Sequence, residues 1–369
     1  MHVIIDCRFA FCSGIGRYIR EVVPRILRFE GHSFTVILRR EDEDTSFGRA
    51  CVGAHVRRMF STAAMYSLQE QVELPWRTPP GDVFWAMHYD APCFPLRTHY
   101  RIVTIHDMCH LAFQQDMPWF KKCYAQWFMY AASHFYDKIL TVSHFSKQEI
   151  LKYEGVAEDK VVVTGCAVER MRYHPHRDLS QERKVRERYG LPKEFFLFVG
   201  NGKPHKNLEA LLQAYARFHG ACATVPALVI VGGFQPLEGN AVRQRLSENQ
   251  GLSMVHFVGA VEELELPMIY RMAHALFFPS LYEGFGLPLL EAMACGCPVF
   301  TANVASMPEV CGAAAGYFDP MDVEDIVRAM GEALEKDRGR VAKGLERVHM
   351  YSWDRVAEVA WGSIVSLTG

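Results

Sequence analysis

Residues 279–298 read PSLYEGFGLPLLEAMACGCP and set two glutamates, Glu283 and Glu291, around a glycine-bearing turn. Proline is tolerated at the start of a helix and pre-sets its φ angle, so Pro288 predicts a helix over 288–295, with Gly296 ending it. The free N–H groups and positive dipole end of such a helix attract an anion, and Gly284 and Gly286 let it approach the chain closely. On this reading Glu291 falls in the first helical turn and Glu283 in the loop before it. A carboxylate is a poor ligand for an anion but can accept two vicinal hydroxyls, so sugar hydroxyls are the partner that fits. In the plainer account, Glu291 complements the dipole and Glu283 is a surface charge.

Four further stretches could carry chemistry. After the apolar run 195–199 comes Gly200-Asn201-Gly202-Lys203-Pro204-His205-Lys206-Asn207. Asn207 is a natural N-cap for a helix over 208–219, and Lys203, His205 and Lys206 crowd its positive end. A bound diphosphate would offset that repulsion; a solvated basic turn is the alternative. Cys12-Ser13-Gly14-Ile15-Gly16-Arg17-Tyr18 predicts a tight turn between strand and helix, half of a dinucleotide fingerprint without its third glycine. Thr104-Ile105-His106-Asp107 ends an apolar run; there an imidazole beside a carboxylate can be oriented and can donate to a reacting hydroxyl or a sugar oxygen, unless it is simply structural. Residues 118–128, PWFKKCYAQWF, are aromatic and basic at helical spacing, which suits core packing or a membrane-interface face.

The elements that must position these residues are short apolar runs alternating with stretches of helical period. Strands are predicted at 2–6, 33–39, 82–87, 101–105, 138–142 and 160–164, and again at 195–199, 227–231, 255–258, 275–278, 298–301 and 316–318. Several are apolar throughout, as strands covered on both faces must be, so the fold class is α/β with two doubly wound parallel sheets. Polar and basic residues 169–192 read as a linker plus a surface helix, and 352–364 as a closing amphipathic helix. At 369 residues the chain holds more than two domains' worth at ~150 residues each, and its 50% hydrophobic content excludes wholesale disorder. Forty basic against forty-two acidic side chains excludes a nucleic-acid coat. Eleven cysteines without metal-ligand spacing read as small buried hydrophobes in a reducing compartment, and no metal is expected. Asp6 interrupts any signal-peptide core, and no run reaches membrane-spanning length, so a cytoplasmic or peripheral protein is expected.

Together the stretches resemble glycosyltransferase family 4, the retaining GT-B enzymes that use nucleotide sugars. The resemblance covers nearly the whole chain. It rests chiefly on Glu283 and Glu291 in their Glu-Gly-Phe-Gly context and on the loop ending in Lys206-Asn207. The Ser13 to Tyr18 loop, His106-Asp107, Thr141-Val142-Ser143 with Ser146, and Ser352-Trp353 follow in the family's order. It implies two Rossmann-like domains facing a central cleft: an acceptor domain over 1–172, to which 350–369 returns, and a donor domain over 173–349. Glu291 would hold ribose hydroxyls, and Glu283 with the backbone of Gly284, Phe285 and Gly286 the transferred sugar. Lys206 would clamp the diphosphate, and His106 would lie by the reacting centre. Gly14, Gly16, Gly200, Lys203, Val258 and Leu287 complete the expected donor-binding set. Where relatives often carry an arginine shortly after the position of Gly200, this chain has Lys203, a point charge rather than a fork.

The implied reaction moves a hexose, mannose from GDP-mannose or else a UDP-hexose, to a glycan or lipid-linked acceptor in surface-polysaccharide or glycolipid synthesis. The implied first domain could touch a membrane peripherally; no nucleic-acid partner is expected. Front-face attack, with the leaving phosphate taking the proton, would need no protein base, and lysines in place of a metal would stabilise the leaving group. A nicotinamide dehydrogenase would need the full glycine fingerprint that the Ser13 to Tyr18 loop lacks. A non-catalytic nucleotide or glycan binder on the same fold is the other rival.

Overall fold

Unalternating apolar runs such as VIID and FFLFV become parallel strands buried on both faces. The computed structural model describes residues 1–113, 119–221, 225–234, 239–240, 242, 244, 252–335 and 338–369; Pro118 and Cys222 lie outside the described residues. The chain divides into two compact units, Met1–Cys166 with Ser352–Gly369, and Ala167–Tyr351.

The first unit's strands are β1 (His2–Asp6), β2 (Ser33–Arg39), β3 (Val56–Ser61), β4 (Gly81–Ala86), β5 (Thr98–Thr104), β6 (Lys138–Thr141) and β7 (Val161–Val163). They pair in parallel in the order β3-β2-β1-β4-β5-β6-β7. Strand β3 was not among the expected strands: its sequence VRRMFS carries two arginines, tolerated because β3 is an edge strand with one neighbour. The second unit holds β8 (Phe195–Val199), β9 (Ala227–Val231), β10 (Val255–Gly259), β11 (Ala275–Phe278), β12 (Val299–Ala302) and β13 (Ala315–Phe318), in the order β10-β9-β8-β11-β12-β13, also parallel. Each order reverses once, between β1 and β4 and between β8 and β11. Loops leaving neighbouring strands at such a point diverge and open a crevice at the carboxyl ends.

The helices used below are α1 (Ser13–Ile26), α2 (Leu68–Arg77), α3 (Trp119–His134), α4 (His144–Glu154), α5 (Leu208–Ala221), α6 (Leu266–Met272), α7 (Leu287–Ala294) and α8 (Trp353–Thr368). Gly14 and Gly16 belong to the first turn of α1 rather than to a loop before it. A Cβ on Gly16 would lie 2.5 Å from the Ala10 carbonyl oxygen, so this glycine lets helix and turn touch. Ser352 caps α8, whose Trp361 stacks on Phe29 at 4.8 Å and whose Asp354 meets Arg25 at 2.8 Å. Cysteines at 7, 51, 166, 295, 297 and 311 are buried free thiols, whereas Cys12, Cys93 and Cys109 are half-buried and Cys123 is exposed, so the buried reading holds for only part of the set.

The first reversal point is braced by charge. Arg8, fully buried just after β1, grips Asp6 through Nε (2.9 Å) and Nη2 (2.8 Å) and reaches Glu70 of α2 through Nη1 (2.5 Å). Glu70 also closes a capping box with Ser67 at the start of α2. Removing the guanidinium would leave two buried carboxylates without their counter-charge. Arg8→Ala is therefore expected to destabilise the first unit by ~3–5 kcal/mol, read from the midpoint of its urea unfolding transition; a loss below about 1 kcal/mol would show that the carboxylates find other partners.

Candidate functional site

In the second unit, the loops after β8 and β11 are laced together. The β8 loop passes through Gly200 and the single turn Pro204–Lys206. Asn207 then adopts a left-handed conformation (φ 54°), not the extended one of an N-cap; its amide donates to the carbonyls of Pro279 (3.2 Å) and Pro320 (2.8 Å). That corrects its expected capping role. Leu281 N–H donates to the His205 carbonyl at 2.7 Å. These ties bring Lys206 Nζ to 2.5 Å from Glu283 Oε1, with both side chains largely buried and the ammonium 5.8 Å from the Phe278 ring centroid. Lys203 is exposed.

The second loop is held from below. The buried Ser306 hydroxyl shares its proton between the carbonyls of Glu283 (2.9 Å) and Phe285 (3.0 Å). Gly284, Phe285 and Gly286 are buried, and Gly286 stands before α7 at φ 91°, where an added Cβ would lie 2.8 Å from Leu289 Cδ1. Helix α7 begins at Leu287, so Glu291 is its fifth residue and lies beyond the first turn. This corrects its expected position and removes the account of Glu291 as a dipole complement, since that effect fades within one turn. The carboxylate is buried and accepts from the Tyr270 hydroxyl of α6 at 3.0 Å. Beside the loops, Gly232 has φ 154°, and a Cβ there would come within 1.6 Å of the Gly200 carbonyl oxygen. Val258 is half-buried on the edge strand β10, with β9 between it and β8.

In the first unit, His106 follows β5. Its Nε2 lies 3.0 Å from the Met87 carbonyl, which can only accept, so Nε2 carries the proton and Nδ1 of the neutral ring is left as an acceptor. The expected role as donor is thus reversed in sense. The ring is oriented by Met87, while Asp107 accepts the Cys109 N–H of its own turn (2.9 Å). Tyr18 places its ring edge-on to His106 at 5.2 Å, and Trp353 lies edge-on to Tyr18 at 6.0 Å. The Ser146 hydroxyl donates to the His106 carbonyl (3.2 Å), Thr141 to that of Ile105 (2.7 Å), and Ser143 caps α4. Tyr18 and Met87 therefore meet the imidazole itself, while Thr141 and Ser146 hold the main chain that carries it and Trp353 backs Tyr18.

Beside it, His88 is buried against Phe9 (4.3 Å) and accepts the Asp90 N–H on Nδ1 at 3.1 Å. Asp90 in turn accepts from the Tyr124 hydroxyl (2.7 Å) and the Tyr66 N–H (3.0 Å). Burial pushes His106 below its ordinary value against the opposing pull of Met87 and Asp107. His88 goes well below, through burial and then the positive fields of His106, His110 and Arg8. Glu70 is pushed up by burial and by Asp90, against Arg8.

Sequence reasoning did not find Ser306, Tyr270, Gly232 or His88. Only Gly232 left a local signal, the Val-Gly-Gly closing the strand that ends at Val231; the others act through partners 21 residues or more away in the chain or, for His88, through burial. Of the aromatic stretch, the packing account holds for Ala125 and Phe128, which are buried, while Trp119, Phe120 and Trp127 are exposed.

Two parallel-sheet units, each with its chemistry at strand ends, are the GT-B architecture, and the chain belongs to glycosyltransferase family 4. Residues 12–172 match the family described as Glycosyltransferase Family 4, and residues 181–347 that of Glycosyl transferases group 1. Among individual proteins it is similar to O-antigen chain mannosyltransferase B of Escherichia coli, 30% identical over 368 residues and covering 93% of each chain. Its fold is similar to that of sucrose-phosphate synthase from Thermosynechococcus elongatus (TM-score 0.76, 18% identity, 100% and 99% of the two chains). It is likewise similar to Anabaena HepE, solved in complex with UDP-glucose (TM-score 0.76, 14% identity, 99% and 100%).

The histidine geometry has a consequence for pH. A ring kept neutral in the folded state but titrating in the unfolded chain gives stability that is full above about pH 6.5 and lost as pH falls below it. Glu70 has the opposite sign: its raised folded value means stability lost as pH climbs past the ordinary carboxyl range. His88→Asn, whose Oδ1 can still take the Asp90 N–H, should flatten the drop in melting temperature between about pH 7.5 and 5.5, and Glu70→Gln should steepen it. Unchanged slopes in both variants would remove these groups from the pH dependence.

Proposed function

We propose that this chain is a retaining mannosyltransferase, moving mannose from GDP-mannose to a glycan or lipid-linked acceptor in surface-polysaccharide assembly. The observation that carries the reading is the Lys206–Glu283 pair at the point where the second sheet reverses, beside the glycine-lined start of α7. An ammonium and a carboxylate poised together match a ligand with two faces, an anion and a set of hydroxyls. On donor binding, Lys206 turns to the diphosphate, Glu283 and the 284–286 backbone take the sugar hydroxyls, and Glu291, steadied by Tyr270, takes the ribose. His106 Nδ1 accepts a hydrogen bond from a hydroxyl of the transferred sugar. The choice of mannose is supported by the similarity to an O-antigen mannosyltransferase.

Negative charge grows on the leaving diphosphate as the sugar becomes oxocarbenium-like. Lys206, the exposed Lys203 and helix N–H groups are the anion stabilisers, and no metal is required in this scheme. The acceptor attacks from the face the leaving group departs, and its proton passes to the leaving phosphate.

Thermal shift against a panel of nucleotide sugars tests the donor: GDP-mannose near 100 times its dissociation constant should add ~2.7 kcal/mol of stability. A shift with UDP-hexoses alone would overturn mannose, and binding without transfer would make the protein a binder. The product anomer, read by NMR, should keep the donor configuration, and EDTA should leave the initial rate within about twofold. Lys206→Ala should weaken free GDP by ~1.5–3 kcal/mol. Glu283→Gln, by freeing Lys206 from its partner, should keep or tighten GDP binding while lowering turnover of the sugar donor. Equal loss of GDP affinity in both variants would sink this division of roles.

A further inference from the structure

A hydroxyl buried in an apolar core is explained by its partner, since phenylalanine fills the same space without desolvating a polar group. Tyr18 of α1 is wholly buried, and its hydroxyl meets Thr164 Oγ1 at 3.0 Å, across 146 positions of chain. The direction of that bond follows from the next one. Thr164, just past β7, sends its own hydroxyl proton to main-chain carbonyls, that of Thr141 at 3.1 Å and that of Gly165 at 3.4 Å. A carbonyl can only accept, so Tyr18 is the donor to Thr164.

The series continues through β6. The Thr141 carbonyl takes the Thr164 N–H as well, at 2.8 Å, and the buried Thr141 hydroxyl donates to the carbonyl of Ile105 at 2.7 Å. Ile105 is the residue before His106. A line of hydroxyls that leaves α1 through a phenol thus arrives at the main chain carrying the imidazole. It closes on itself, because the Tyr18 ring stands against the His106 ring with centroids 5.2 Å apart and planes at 85°. Trp353 of α8 lies 6.0 Å from the Tyr18 ring, itself buried.

This circuit supplies what the Met87 bond lacks. A hydrogen bond at Nε2 alone fixes one atom of the imidazole and leaves the ring able to pivot about it. Such a pivot moves Nδ1, the atom that takes a sugar hydroxyl in the transferase reading. Misplacement of a reacting or orienting group by about 1 Å can cost on the order of 10²-fold in rate. A second contact, away from the Nε2 bond and itself unable to drift, removes the pivot. The Tyr18 ring is in contact with the imidazole and is anchored at its far end by Thr164.

We propose that Tyr18 is a positioning residue for glycosyl transfer: pinned at its hydroxyl by Thr164, its ring holds the His106 imidazole so that Nδ1 keeps one direction. The proposal rests on the reading of His106 as a contact of the transferred sugar, and adds to it the residue that sets the aim of that contact.

The test joins the state of the ring to the rate. In the full chain with 15N-labelled histidine, the His106 ring nitrogens, assigned by their loss in His106→Ala, should report one neutral tautomer protonated at Nε2. Tyr18→Phe keeps the ring and removes the donor, and Thr164→Val removes the acceptor. Each should draw the two nitrogen shifts toward one another, and either variant carries the test should the other fail to fold. With GDP-mannose as donor and methyl α-mannoside as acceptor, each should lower kcat about tenfold while the donor KM stays within about twofold. The two combined should cost no more than the worse of them, because they cut the same bond. In His106→Ala, itself slowed by ~10²-fold, Tyr18→Phe should cost less than about twofold more. Unchanged ring shifts in both variants overturn the proposal. So does an equal fractional loss of kcat with and without His106, which is the mark of a brace for the fold alone. His106→Ala with full turnover would instead remove the sugar contact on which the positioning role depends. Failure to bind GDP-mannose at all counts against the transferase reading, while the nitrogen shifts still decide whether Tyr18 holds the ring.

Discussion

A parallel strand covered on both faces has no room along its length for an unpaired charged side chain, and that constraint organises both units. Burial of β1, β4, β8 and β11 pushes chemistry to their carboxyl ends, where the backbone turns away and polar groups find room. Arg8 follows β1, His88 follows β4, His106 follows β5, the Lys206 loop follows β8 and the Glu283 loop follows β11. The spacing of these residues in the chain is set by the crossover helices between strands. Their meeting in space is set by the order of the strands.

The Lys206–Glu283 pair shows why the strand order matters more than either loop alone. The two residues are 77 positions apart, yet β8 and β11 are hydrogen-bonded neighbours, so their loops begin side by side. Asn207 and Ser306 then fix the loops through main-chain carbonyls, leaving the charged tips to be the changeable part. A framework held by amide and hydroxyl bonds to backbone, carrying an ion pair that a ligand can divide, is preorganised without being locked.

The α/β class, most strands and the candidate residues in the loops after β8 and β11 were legible because apolar runs, Gly-Pro punctuation and clustered charges are local signals. Strand β3 escaped because an edge strand need not be apolar, and its arginines resemble a loop. Asn207 was misplaced because asparagine suits both a cap and a left-handed turn, and only the distant carbonyls of Pro279 and Pro320 decide between them. Glu291 was set one residue too early in its helix, inside the first turn instead of just beyond it, because where a helix properly begins depends on Gly286, whose φ no neighbouring residue dictates. The sense of the His106 hydrogen bond was invisible for the same reason: Met87 lies 19 residues away, on another strand end.

The unit division also orders events during synthesis. The second unit is one unbroken segment, 167–351, and can complete its core as soon as it has left the ribosome, whereas the first unit still lacks α8, which is made after it. Until then Phe29 has no Trp361 to stack on, Arg25 has no Asp354, and Tyr18, the ring set edge-on to His106, has no Trp353 behind it. The first unit, begun before the second, is thus finished after it, and the surroundings of His106 are completed only once residues 352–369 have been made.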